Sequence, residues 1–369
     1  MPIKIVWRIL GLTLLFALLT LVAACGNGGE SQPAEGQTSP ETGETDQRGD
    51  SKVLSIATTP VGSSINAVGN GLASVISKHA SLKVAVQPFA GPTAYVDPLN
   101  EGEVMLAVRA ARDLTWAFYG EEPYKEPIKN LRLLTYGNTI EVAGAAVRLD
   151  SGIKKMADLK GKRVTSEYSG DPISIAVLTA ALAVNGLSWD DVIPVPTVSY
   201  ETAVNALRDD RADAMFALVP TTPLMMDAHN AVGLASVPFL DDYSADQIDQ
   251  IPDEKLAQVR EYIPGVNFTV IEPAGYITEK TLGISYPNIF VASAHLADEV
   301  AYEILETLWE HYEELHPVHV WLSSWTPERM FEPDFQLPYH PGAVQFFKDQ
   351  GLWTDEMEQR QAELLKAAQ

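Results

Sequence analysis

The chain has a single cysteine, Cys25, among 369 residues, so an intramolecular disulfide is impossible and a CxxC or Cys/His zinc site is excluded by count. Positive charge is also scarce: 26 lysines and arginines stand against 49 aspartates and glutamates, a formal net charge of -23. Such a surface repels phosphate backbones and anionic headgroups, which argues against nucleic-acid binding. No HExxH spacing joins any of the seven histidines, and neither GxxxxGK[ST] nor GxSxG occurs. A histidine metal site, an ATPase and a serine hydrolase therefore have no support, and the expectation is a non-enzyme without metal or cofactor. What is present is ordinary globular material, 46% hydrophobic and 20% charged, long enough for two domains.

Lys4 and Arg8 precede an apolar run over 9–21 that is short for a membrane span, and Val22, Ala23, Ala24 and Cys25 follow at once. This resembles a bacterial lipoprotein signal. The resemblance implies that 1–24 is a signal peptide and that Cys25 is lipidated as the first residue of the mature protein. The alternative is an uncleaved anchor with Cys25 a bystander thiol. In either case the bulk of the chain is expected outside the cytoplasm. Residues 25–50 are rich in Gly, Ser, Thr, Pro, Gln and Glu with no aromatic, too polar to fold. They read as a tether with an end-to-end distance of about 25–30 Å. Nothing after Asp50 reads as a membrane span.

The folded body opens on a short apolar run at 53–57, then Thr58-Thr59-Pro60, a turn at Gly62-Ser63-Ser64 and a helix over about 65–78. Gly69 and Gly71 in that helix signal close approach of another backbone or a ligand. Its N-terminus can present free backbone amides to an anion, or serve only as a strand-to-helix connection. Two further apolar runs, 82–86 and 104–108, end in the turn Ala90 to Thr93 and at Arg109. Strands ending in polar loops suggest a parallel sheet whose carboxyl edge carries a site. A second series repeats the scheme: a strand crossing at 142–147, a helix from Asp171-Pro172 to Asn185-Gly186, strands at 193–198 and 212–219, and a polar turn at Pro220-Thr221-Thr222. Residues 242–263 read as an excursion on the second lobe, 284–293 as a return strand, and 298–315 and 353–368 as helices.

The stretch from Asp150 through Asp158-Leu159-Lys160-Gly161-Lys162-Arg163-Val164, then 211–216, and above all Leu337-Pro338-Tyr339-His340-Pro341-Gly342-Ala343, resemble the solute-binding subunit of TAXI-type TRAP transporters. The resemblance spans 53–365. It implies an α/β, two-lobed periplasmic-binding-protein fold (type II-like) with a hinged interlobe cleft. It divides the body into a first part of lobe 1 over 51–140, lobe 2 over 141–284, and a return strand with the rest of lobe 1 over 285–369. The implied partners are a small organic acid or amino acid and TRAP membrane permease subunits, with the lipid anchor holding the protein at the membrane. A lipoprotein of the same fold serving an ABC importer or a sensor kinase is the alternative, and a lipid-anchored hydrolase a more distant one. The first loop, Val61 to Ala67, lacks the glycine pair and paired tyrosines usual in the family, which places the ligand's identity in doubt.

Arg109, directly after an apolar strand at the expected cleft edge, offers a planar fork to a carboxylate. Its competing role is a structural ion pair with one of the chain's many carboxylates. Arg112 reads as a surface pair. Candidate donors are Thr58, Thr59, Ser63 and Ser64 from the first loop, Thr93 from the second, and Ser166, Tyr168, Ser169 and Thr221 from the second lobe. Tyr136 and Asn138 line the floor or support the hinge. His340 reads as a helix-start residue.

Overall fold

The computed structural model describes residues 53–121 and 123–368; the expected signal, tether and Cys25 lie outside the described residues. Along the chain the strands are β1 (Leu54–Thr58), β2 (Val84–Pro88), β3 (Leu106–Ala110), β4 (Leu131–Val142), β5 (Ala145–Arg148), β6 (Arg163–Glu167), β7 (Ile193–Thr197), β8 (Ala214–Met215), β9 (Leu234–Val237), β10 (Asn267–Ile271) and β11 (Thr281–Ser293). The helices are α1 (Ser64–His79), α2 (Val96–Glu101), α3 (Ala111–Tyr119), α4 (Pro172–Val184), α5 (Tyr200–Arg208), α6 (Pro223–Val232), α7 (Asp253–Tyr262), α8 (Asp298–Glu310), α9 (Pro327–Met330), α10 (Pro341–Asp349) and α11 (Asp355–Ala367).

Two sheets result, ordered β10-β11-β3-β1-β2 with β4 also on β11, and β7-β6-β8-β5-β9. They are built alike. In the first, β1 is parallel to β2 and β3, and β11 runs antiparallel to β3. In the second, β6 is parallel to β7 and β8, and β5 runs antiparallel to β8. The parallel strands come from successive βα units, and the antiparallel strand is where the chain crosses from one sheet to the other. This is the two-lobed α/β architecture expected from the sequence, and both lobes direct the carboxyl ends of their parallel strands at the same cleft.

The first lobe packs α1 on β1, and the contact explains Gly69: a Cβ there would lie 2.4 Å from Thr58 Cγ2. Gly71 is similarly close to Leu322 Cδ1, so both glycines admit protein neighbours rather than a ligand. Ser63 caps α1 by accepting from Asn66 N at 3.2 Å. In the second lobe α7 lies against α4, and Lys255 Nζ donates to the Val184 carbonyl at 2.9 Å, so the polar excursion belongs where it was expected. The long β4 and β11 pair along most of their length, with register shifts after Pro287 and Phe290, and their far ends reach the second lobe, where Phe239 N donates to Leu282 O.

Three elements differ from expectation. The chain rejoins the first sheet at β10, Asn267–Ile271, ahead of the expected return at 285, because Phe268 and Val270 alternate with polar residues as a half-buried edge strand requires. The strand expected over 212–219 pairs only at Ala214–Met215. Leu218 N turns back to Phe216 O, which swings 216–219 out of the sheet. The helix expected to run to 315 ends at Glu310 and continues as a 3-10 turn, Tyr312–Leu315, that still buries Leu315.

Candidate functional site

Between the lobes lies a cavity of about 420 Å³. The first lobe contributes the end of β1 and start of α1 (Thr59 to Ile65), Ala90 and Arg109, with Ile140, Val142 and Tyr286 from the two long strands. The second lobe contributes Asp171, Ile173, Tyr200, Phe216, Leu218, Val219 and Thr222, and Trp321 reaches in from the C-terminal part. Most of this wall is apolar. Tyr200 stacks on Phe216 with ring centroids 6.0 Å apart.

Beside the cavity the lobes are joined by a buried ion cluster. Arg109 Nε donates to Asp113 Oδ2, one helical turn along, and Arg109 Nη2 donates to Asp171 Oδ1 in the second lobe. The three side chains are 3%, 0% and 5% exposed, so water contributes nothing to their charge balance. Asp113 also crosses the cleft: its Oδ1 accepts the backbone N–H of Ile173 at 3.0 Å. Asp171 occupies the N-cap position of α4 but makes no side-chain cap; the carboxylate that satisfies that helix start comes from the other lobe. The second lobe is thereby latched at the positive end of α4.

Electrostatically the cluster holds one positive and two negative groups. Burial opposes the Arg109 charge, and Asp113 with Asp171 more than offsets it, holding the guanidinium above its ordinary value. Burial pushes Asp113 up, to about 7, against the pull of Arg109 and helped by Asp171. The arginine keeps its proton and the surplus carboxylate bears the cost of burial. Tyr95 and Tyr200 stand next to it with phenols raised by burial, and the Tyr95 hydroxyl has no partner.

Of the residues expected to bind solute, the cavity brings together Thr59, Ser63, Ser64 and Arg109. Arg109 makes one contact to each of two carboxylates, both the protein's own, which is the competing structural role weighed for it. Thr58 is fully buried, donating to Thr59 O at 3.1 Å and accepting from Asn66 Nδ2, and stands behind the wall. Thr93 and Ser169 meet each other across the lobes, Thr93 Oγ1 donating to Ser169 O at 3.4 Å, outside the cavity. Tyr168 points into the second lobe's own core, its hydroxyl paired with Thr165 Oγ1 at 2.5 Å and accepting from Phe216 N at 3.1 Å. The Ser166 hydroxyl is buried without a partner, and the residue does not line the cavity. Thr221 is exposed; its neighbour Thr222 lines the wall and caps α6. Tyr136 faces a separate cavity of about 480 Å³ with Glu332 and Asp334, away from the cleft. Arg112 pairs with Glu121 at 3.1 Å, and His340 caps α10 by accepting from Gly342 N.

Sequence reasoning missed Asp113 and the apolar wall. Asp113 sits four residues after Arg109 on the following helix, a spacing that announces an ion pair. Phe216, Leu218 and Val219 were assigned to a strand, and nothing local in the sequence brings Tyr286 or Trp321 to the cleft.

Two lobes of like topology joined by crossing strands, with a cavity enclosed between them, define a periplasmic-binding-protein fold. The chain belongs to the NMT1-like family, whose model matches residues 56–351. Among solved structures it is similar to the malate-bound MatC protein of Rhodopseudomonas palustris, at 9% identity over 86% of this chain and 99% of that one, TM-score 0.51. It is also similar to the periplasmic aliphatic sulphonate binding protein SsuA of Escherichia coli, at 16% identity over 85% of each chain, TM-score 0.41. A TctC solute binding protein from Polaromonas matches at 13% identity over 86% of this chain and 94% of that one, TM-score 0.41. At 9% identity the likeness to MatC speaks for the fold alone.

Proposed function

We propose that the protein is the extracytoplasmic solute-binding subunit of a TRAP-type secondary transporter, lipid-anchored through Cys25, which captures a small organic acid or amino acid by hinge closure and hands it to membrane permease subunits. The observation that carries this reading is the 420 Å³ cavity whose wall is shared by both lobes. A solute enclosed there touches β1–α1 on one side and α4, α5 and the 216–219 segment on the other, so it stabilises the closed form through contacts the open form lacks. No chemical step is involved, and no nucleic acid or metal takes part.

The test is thermal unfolding of the protein against dicarboxylates, 2-oxo acids, acidic and apolar amino acids, apolar monocarboxylates and sugars. A ligand at a hundred times its dissociation constant stabilises the folded form by about 2.7 kcal/mol. A response confined to one anionic class supports the reading, and a flat response from protein freed of carried-over ligand refutes it. The alternative permease, an ABC importer, is separated by energy source: uptake through a TRAP system stops when an ionophore collapses the ion gradient, whereas ABC uptake continues while ATP lasts.

A further inference from the structure

Away from the cleft, the first lobe brings together three side chains that solute capture does not use. His79 is the last residue of α1 and His311 is the C-cap of α8, and their rings stack with centroids 3.6 Å apart and planes 12° from parallel. Glu314, on the 3-10 turn that follows α8, sets Oε1 2.9 Å from His79 Nε2. Two ring nitrogens and a carboxylate oxygen, one from each residue, all lie within 4.8 Å of one another. His79 and Glu314 are 235 positions apart along the chain. They meet only in the fold, so the absence of HExxH spacing does not bear on them.

Several features of this corner suit a cation. Stacking gives the two rings a common orientation, so that one ion can take a nitrogen from each. The carboxyl ends of two helices meet there, and their negative poles favour positive charge. Glu314 is held from behind: its Oε2 accepts from Lys78 Nζ at 2.7 Å, which leaves Oε1 on the side of the imidazoles. The side chains of His79 and Glu314 are 22% and 39% exposed, so water can fill the remaining coordination positions. Zinc bonds of about 2.0–2.2 Å place tetrahedral ligands about 3.4 Å apart, so the triad closes on an ion with side-chain movements of about 1 Å. Two imidazoles with one carboxylate suit zinc, nickel and copper(II), whereas calcium and magnesium take oxygen donors. We propose that His79, His311 and Glu314 form a binding site for a divalent transition-metal ion of the zinc class, which ties the end of α1 to the end of α8. The cavity wall lies at the other end of α1, about 24 Å along a helix of 16 residues. The ion is therefore a cross-link within the first lobe and not a solute contact, and its binding does not depend on what the cavity holds.

The test is titration calorimetry at pH 7.5 on protein without an affinity tag, stripped of metal by a chelator, with the chlorides of zinc, nickel, calcium and magnesium as probes. Zinc should bind at one equivalent, with a dissociation constant of about 10 μM or tighter and at least about tenfold more tightly than calcium or magnesium. His79→Ala, His311→Ala and Glu314→Gln should each weaken zinc at least about tenfold, because even a partner outside the ligand set is worth that much. His295→Ala, elsewhere on the first lobe, should leave zinc binding unchanged. None of the three ligands is fully buried, so the metal-free melting temperature of each variant should hold. A second readout needs no variant to fold: copper(II) bound to the native protein should show electron paramagnetic resonance couplings to two imidazole nitrogens. Either histidine variant should show one. Absence of zinc binding, zinc affinity unchanged in any of the three variants, calcium binding as tight as zinc, or a native copper spectrum without two imidazoles overturns the assignment.

Discussion

Replacing Arg109 by methionine keeps the volume of the side chain and removes the only cation of the interlobe cluster. Asp113 and Asp171, 0% and 5% exposed at the side chain, would then face each other without a counter-charge. Breaking a buried pair in this way costs about 3–5 kcal/mol. For a folded body of this size, where 1 kcal/mol moves the midpoint by about 2 °C, the drop should be on the order of 6–10 °C at pH 8. The pH dependence follows from the sign of the Asp113 shift. Its folded value, pushed up to about 7, lies above its ordinary 3.8, so the stability tied to its proton is present below the ordinary value and lost as pH rises through about 7. Without Arg109, Asp113 loses the pull that lowers its value and holds its proton more tightly, so at pH 5 it escapes the penalty by staying neutral and the deficit should at least halve. The assay is differential scanning calorimetry of both proteins at pH 8 and pH 5, with small-angle scattering to detect any separation of the lobes that would hydrate Asp171. A drop under 2 °C at pH 8 with unchanged radius of gyration, or an equal drop at both pH values, refutes the reasoning.

Gly91→Ala should prop the lobes apart, because a Cβ at that position lies 1.8 Å from the Gly170 carbonyl oxygen in the other lobe. The backbone there is extended and accepts any residue, so scattering should show a larger radius and calorimetry a weaker ligand, and unchanged values for both would count against closure at this contact. Tyr168→Phe leaves the buried Phe216 N–H without an acceptor and should lower stability by about 1–3 kcal/mol in denaturant titration; a loss under 0.5 kcal/mol would mean that the hydroxyl is dispensable. Burial holds His340 below its ordinary imidazole value, with Nδ1 accepting from Gly342 N and Nε2 donating to Leu296 O. Its contribution is therefore present above about pH 6.5 and lost as pH falls, so the melting-temperature gap between wild type and His340→Gln should narrow from pH 7.5 to pH 5. A gap that widens over that range would contradict the neutral assignment.

What the sequence disclosed was local, and what it hid was not. The start of α4 is announced by Pro172, whose fixed φ needs only its own turn to act, although the carboxylate that serves that start comes from the other lobe. The like topology of the lobes followed from the succession of βα units, each a short-range pattern. The site obeyed longer-range rules. Arg109 was recognisable as a cation at a strand end, but its second partner lies 62 positions away, and only folding decides that a protein carboxylate, rather than a ligand, reaches it first. Hydroxyl residues in loops looked like ligand donors by type; Tyr168 and Thr58 instead bond within their own lobes, as such groups commonly do. The apolar wall was invisible because 216–219 reads as strand until the turn at Leu218 takes it out of register.

The latch and the cavity make linked demands on closure. A ligand that swings the lobes from one part in a hundred closed to ninety-nine must favour the closed form by about 5.5 kcal/mol. An apolar body presenting about 200 Å² of surface, half of it covered by the second lobe, contributes about 2.5 kcal/mol at 25 cal/mol per Å². Apolar burial by itself therefore leaves such a switch short by about half. The empty protein must already sit nearer balance, with the Arg109–Asp171 pair and the Asp113 cap on Ile173 N favouring closure and the surplus buried carboxylate opposing it. Since that opposition weakens as Asp113 takes up a proton, closure of the empty protein should become easier as pH falls through 7. Scattering of ligand-free protein should then show a radius of gyration that shrinks between pH 8 and pH 6 and stays constant in Asp113→Asn. A radius independent of pH in the wild type would mean that the cluster holds the lobes at fixed strength and that the solute alone does the switching.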